Sequence, residues 1–113
     1  MSADRILRLS ERDFRKKFAL SPVQRAGRAG LLRNAAVVLG NTGDVQWVPL
    51  LTHTLASDPA PLVRGHAAWA LGQLGGSAAM EALAEASSRE QDAYVVEEIQ
   101  LARNDSPRAE VTA

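Results

Sequence analysis

Apolar residues recur along this chain every three to four positions, in blocks separated by glycine, and that spacing predicts helices from end to end. In the middle of the chain Val63, Ala67, Ala70, Leu71 and Leu74 mark one apolar stripe. Pro61 suits the first turn of that helix, because proline has no N–H to lose there. Gly75-Gly76 ends it, since glycine enters the left-handed region cheaply. Ser77 is placed to cap a following helix with apolar positions Ala79, Met80 and Leu83. An earlier pair has the same form. Gly40 to Gly43 make its break, Asp44 is its cap, and Trp47, Val48, Leu51 and Leu55 face inward. Ser57-Asp58-Pro59-Ala60 connects the two pairs. Near the start, Ser10 followed by Asp13 forms a partial capping box, with Phe14 and Phe18 on one face. Ser21-Pro22 opens a short new turn, and Gly27 and Gly30 blur where the next helix begins. No alternation of the kind a strand needs is sustained anywhere.

The blocks are copies of one unit. Asn34-Ala-Ala-Val-Val-Leu-Gly-Asn-Thr-Gly43 matches His66-Ala-Ala-Trp-Ala-Leu-Gly-Gln-Leu-Gly75 at a spacing of 32, with two alanines, a leucine and two glycines identical. A weaker copy follows, with Val95, Ile99 and Ala102 where Val63, Ala67 and Ala70 stood. No single helix of this kind buries its apolar face alone, and stacked neighbours do. The expected fold is all-α, a helical-repeat solenoid (α-α superhelix) of about two and a half helix pairs plus an N-terminal helix. Residues 1–103 form one domain, and Asn104 to Ala113 a frayed, disordered tail. A stack this short leaves its repeat ends open to a partner domain or a second copy.

Composition sharpens the picture of the core. Hydrophobic residues make up 46% of the chain but aromatic ones only 4%, so alanine, leucine and valine fill it, and small side chains let helices approach closely. There is no cysteine, which excludes disulfides, thiolate metal sites and cysteine-held clusters within this chain. No apolar run approaches the roughly 20 residues of a membrane span, and the charged start does not read as a signal peptide. The expectation is a soluble, cytoplasmic protein with no membrane association. The net charge of zero conceals a split: residues 1–34 carry nine basic and three acidic residues, and the remainder the opposite excess. Such a split can steer an anionic partner to one end, although a solvated, salt-screened surface helix is the plainer reading.

The residues carry a resemblance at two levels. Asp58-Pro-Ala-Pro-Leu-Val-Arg-Gly-His-Ala-Ala-Trp-Ala-Leu-Gly72 resembles HEAT-like repeats of the phycobilisome-lyase type, a pattern that speaks for fold and mostly for scaffolds. The longer set is Phe14 to Phe18, Ser21-Pro22-Val23-Gln24-Arg25, Arg28-Ala-Gly-Leu-Leu-Arg-Asn34, Leu39-Gly-Asn41 and Leu62 to Gly72. It resembles the C-terminal region of epoxyqueuosine reductase over about residues 10–103. The resemblance implies an enzyme that uses cobalamin and two four-iron clusters to finish the queuosine base of tRNA. Its cysteine motifs and cobalamin domain lie upstream of the matched region and are absent here. What carries over is the role implied for the helical region, which packs on the catalytic domain and helps hold tRNA. The chain then reads as a detached C-terminal piece, a natural short product or a fragment.

Candidate residues follow. Arg25, Arg28 and Arg33 are the cations in the part most like the enzyme, and guanidinium pairs with phosphate and stacks on bases. The plainer reading is a salt bridge to Asp13 or a helix C-terminus. Lys16 and Lys17, with Arg12 and Arg15, form a second basic cluster that suits RNA or a merely solvated face. Arg64 with Asp58 reads as a structural ladder. His66 and Trp69 share a face, map onto Asn34 and Val37 in the preceding copy, and suit base contact or packing. His53 lies elsewhere, so no histidine metal site forms. Glu97-Glu98 and Glu81/Glu85 sit among no nucleophile, and no phosphate loop or serine elbow is present. No catalytic, cofactor or metal residue is expected. The function expected is a non-catalytic binding module for tRNA or for a catalytic domain. The alternative is a protein–protein scaffold.

Overall fold

The computed structural model describes the backbone of residues 2–18 and 23–105, with side chains over 2–18 and 27–104. Seven α-helices follow one another: α1 (Ala3–Leu7), α2 (Glu11–Phe18), α3 (Val23–Asn41), α4 (Val48–Ser57), α5 (Pro61–Leu74), α6 (Ser77–Arg89) and α7 (Ala93–Asp105). A 3-10 turn, Val45–Trp47, leads into α4, and the described residues contain no strand. The all-α repeat architecture expected from the periodicity is present. The Ser21-Pro22 turn and residues 106–113 of the expected tail lie outside the described residues, and α7 runs past Asn104, where that tail was expected to start.

The helices form two layers. α3 packs along α5 and α5 along α7, while α4 and α6 make the second layer, and α1 and α2 lie against α3. Leu32, Ala36, Leu51, Val63, Ala67, Ala70, Leu71, Leu83, Val95 and Ile99 are all fully buried between them. Apart from Leu32 and Ala36, these are apolar positions read from the sequence as facing inward. Ala67, Ala68 and Ala70 of α5 are fully buried where the layer is tight. A Cβ on Gly40 would come within 2.9 Å of Ala70 Cα, and one on Gly72 within 2.9 Å of Ala102 Cβ. Gly40 and Gly72 are equivalent positions of the 32-residue repeat, and so are Ala70 and Ala102. The glycine of the Leu-Gly pair is thus the seat on which the next repeat's alanine rests.

Local signals act mostly as expected. Asp44 Oδ1 accepts from the Gln46 N–H at 3.0 Å and starts the 3-10 turn. Ser10 Oγ accepts from the Asp13 N–H at 3.1 Å, and the Phe14 and Phe18 rings stack at 5.1 Å. Gly75 (φ 68°) and Gly76 (φ 93°) turn the chain between α5 and α6. Ser77 does not cap α6: the helix begins at Ser77 itself, with Gly76 at the cap position. The ambiguity around Gly27 has a physical cause. Gly27 sits at φ 81°, ψ 159° inside α3, so two helical segments meet there at a kink.

Candidate nucleic-acid interface

The repeat spacing places residues 34, 66 and 98 in one row across α3, α5 and α7, and residues 37, 69 and 101 in the next. Asn34, His66, Glu98, Val37, Trp69 and Leu101 occupy these rows, all at least partly exposed. They lie on the open side of the α3–α5–α7 layer, away from α4 and α6, because each helix turns its other side to the core. Val37, His66, Trp69 and Glu98 line a small pocket of about 180 Å³ there.

His66 is held firmly. Its Nδ1 lies 2.9 Å from the Leu62 carbonyl oxygen. A carbonyl only accepts, so Nδ1 carries the proton and Nε2 is an acceptor in the neutral ring. The Tyr94 hydroxyl oxygen approaches the same Nδ1 at 3.1 Å, and the two rings lie 6.3 Å apart, tilted by 40°. Tyr94 rests on Gly65, where any Cβ would collide with its ring. Burial, and next the Glu98 carboxylate, push the Tyr94 phenol above its usual 10.0, against the opposing pull of Arg33. The phenol therefore keeps its proton, and with it a donor, at neutral pH. Arg33 is half-buried nearby on α3 and donates from Nε to Asn34 Oδ1 at 3.2 Å.

The six residues singled out by sequence separate into different environments. Lys16 and Lys17 are exposed on α2. Arg33 and His66 belong to the α3–α5–α7 face. The side chain of Arg25 lies outside the described residues. Arg28 takes the plainer of its two readings, a salt bridge, although to Asp58 rather than to Asp13. Only 6% of its side chain is exposed, and its guanidinium makes a two-pronged pair with Asp58, at 3.2 Å to Oδ1 and 2.6 Å to Oδ2. Its Nε also donates to the Leu9 carbonyl at 2.8 Å. Three of its N–H donors are thus engaged inside the protein.

The same geometry revises the Asp58–Arg64 ladder. The carboxylate of Asp58 goes to Arg28, while Arg64 takes the Asp58 backbone carbonyl at 2.9 Å and pairs with Glu90 at 2.9 and 3.1 Å. Arg28 thus links the α1–α2 connector at Leu9 to the Asp58 carboxylate ahead of α5, and Arg64 links the Asp58 backbone to the Glu90 carboxylate ahead of α7. Asp58 Oδ1 accepts in addition from the Ala60 N–H, and Glu90 Oε2 from the Asp92 N–H. The bond from Arg64 holds the Glu90 carboxyl below its usual 4.5, and Glu90 in turn raises the Arg64 guanidinium above its ordinary value. A cavity of about 610 Å³ between α1 and α4 has Arg28 and Asp58 in its wall, already engaged with each other.

Tyr94 is the residue that sequence reasoning passed over. Its signal was its place one repeat after Leu62 and 28 residues after His66, which brings it beside the histidine across two packed helices. The cysteine-held clusters attached to the resemblance find no ligands in this chain. It contains no cysteine, and the described residues contain no group of three or more metal-ligating side chains. Among the described residues no helix is long and apolar enough to cross a membrane.

Comparison with known proteins agrees with the architecture. The HEAT-repeat family profile matches residues 23–103. Epoxyqueuosine reductase from Bacillus cereus is 37% identical over 94 residues, which is 83% of this chain and 25% of that protein. Epoxyqueuosine reductase from Listeria monocytogenes is also 37% identical over 94 residues. A crystal structure of epoxyqueuosine reductase with an epoxyqueuosine-modified tRNA-Tyr stem loop superposes with a TM-score of 0.83 at 33% identity. That match covers 90% of this chain and 27% of the other. The chain thus spans about a quarter of the length of the relatives it matches. With its helix pairs, its 32-residue register and these matches all in agreement, this chain belongs to the HEAT-repeat family and is homologous to the HEAT-like C-terminal region of epoxyqueuosine reductase.

Proposed function

We propose that this chain is a non-catalytic, cytoplasmic HEAT-repeat module that holds tRNA for a catalytic domain supplied from outside the span matched here. The observation that carries this reading is the likeness, over nine-tenths of the chain, to a protein crystallised with a tRNA stem loop. The surface supports it. Arg33, His66 and Tyr94 combine a cation, an imidazole and an aromatic face on one side of the stack, the mixture that single-stranded RNA loops require. Lys16, Lys17 and Arg25 add positive charge near the N-terminal end for backbone phosphates. Arg28 is paired with Asp58 in the ladder, so Lys16, Lys17 and Arg33 are the cations this reading rests on.

Titration of labelled tRNA at several salt concentrations tests the reading. Affinity should fall as salt rises, and the salt slope should flatten by about one unit for each phosphate-contacting lysine or arginine replaced by alanine. Lys16→Ala, Lys17→Ala and Arg33→Ala are the variants to compare. No binding at low salt would leave the rival, a protein–protein scaffold. That rival draws on the exposed apolar side chains of Val38 and Val45, which are 55% and 57% accessible.

A further inference from the structure

Glu98 is out of place on a surface meant for a polyanion. It projects into the pocket with Val37, His66 and Trp69, and raises the pKa of Tyr94 by its charge. No ion pair or hydrogen bond engages it among the described residues, although Arg33 is close enough to act on the same tyrosine. A carboxylate beside phosphates costs affinity unless it meets a donor. The pocket is smaller than the roughly 300–1,000 Å³ of sites for drug-sized ligands, which suits a single planar ring system. Its walls are Trp69, His66, Val37 and Glu98, and the Tyr94 hydroxyl lies 3.1 Å from His66 Nδ1.

We infer that this pocket receives one unpaired guanine of a bound RNA, with Glu98 reading its Watson–Crick edge. The inference rests on the RNA-binding reading above and names what the site selects. An ionised carboxylate is acceptor-only, with two oxygens side by side. Guanine alone presents two adjacent donors, N1–H and the N2 amine, to match them. Adenine offers its N6 amine beside an acceptor, N1. Cytosine offers N4 beside N3. Uracil offers a single N3–H between two carbonyls that repel the carboxylate. Stacking on Trp69 and His66 supplies sequence-tolerant affinity, and the two charge-assisted bonds supply the choice of base. Arg33, at the α3 side of the pocket, is positioned for the adjoining phosphate.

The test uses the full chain and fluorescein-labelled uridine pentamers carrying one central guanosine, inosine, adenosine or cytidine, with whole tRNA alongside. The guanosine pentamer should bind at least about tenfold tighter than the adenosine one, inosine should fall between them, and binding should quench Trp69 emission. Glu98→Gln should erase the guanosine preference, bringing the guanosine pentamer to the affinity of the adenosine one. Equal affinity for all four pentamers, or a preference that survives in Glu98→Gln, would overturn the inference and leave the tRNA reading standing. Binding of tRNA without any pentamer would also overturn it. Failure to bind any RNA would sink both.

Discussion

At the scale of single residues, the ionic ladder carries the sharpest consequences. Arg28 and Asp58 are both nearly sealed from solvent. Removing one partner strands the other's charge in the interior, at a cost of about 3–5 kcal/mol. Asp58→Ala should therefore lower the urea midpoint severely, whereas Lys16→Ala, on an exposed face, should leave it nearly unchanged; equilibrium unfolding checks both. The second rung titrates. Glu90 has its pKa lowered in the fold by Arg64, so its contribution is complete above the ordinary 4.5 and is lost as pH falls through the lower, folded value. Wild-type stability should drop more steeply than that of Glu90→Gln as pH is taken from 5 toward 3, measured by urea midpoints at each pH. Of all this the sequence disclosed only that Asp58 and Arg64 are structural. Their partners were hidden because an ion pair across stacked repeats depends on which turn of α3 faces the connector. The Gly27 kink brings up Arg28, where the 32-residue register places Leu32 opposite Arg64.

At the scale of elements, two glycines of α3 and α5 separate propensity from packing. Glycine inside a helix is worse than alanine by about 0.5–1 kcal/mol. At Gly30 an added Cβ meets nothing within 4 Å, so Gly30→Ala should stabilise by roughly that amount. At Gly72 the same methyl meets the side chain and backbone of Ala102. Gly72→Ala should instead destabilise by about 1–3 kcal/mol, because α7 must move off α5. Thermal and denaturant unfolding of the two variants should shift in opposite directions, and equal shifts would refute the packing account. The helices themselves were legible, since period, proline and glycine act locally. Their partners were not: nothing in the period says that Gly40 seats Ala70 or that Gly65 seats Tyr94.

At the scale of the whole molecule, stability comes from repeat stacking on repeat. α7 contributes Val95, Ile99 and Ala102 to the core, each less than a tenth exposed. Burial of a valine or isoleucine side chain stabilises by about 1.5–3 kcal/mol, against a total of about 5–15 kcal/mol for a typical domain. Deleting residues 93–113 should therefore abolish a cooperative melt and expose apolar surface, seen as loss of a sigmoidal circular-dichroism transition and gain of dye binding. A truncated chain that still melts cooperatively would mean that α1 to α6 hold a self-sufficient core.

The sequence by itself determined the helices, their repeat and the family, because hydrophobic period, turn glycines and repeated lettering are written in neighbouring residues. It also marked His66, Trp69 and Arg33 as worth weighing. Only the tertiary structure decided which cations face solvent and which are spent inside. It drew Arg28 into the ladder, set Tyr94 against His66 and opened the pocket around Glu98. The reason is physical: those contacts join residues about 30 positions apart, and what each meets depends on the stacking angle and register of whole helices.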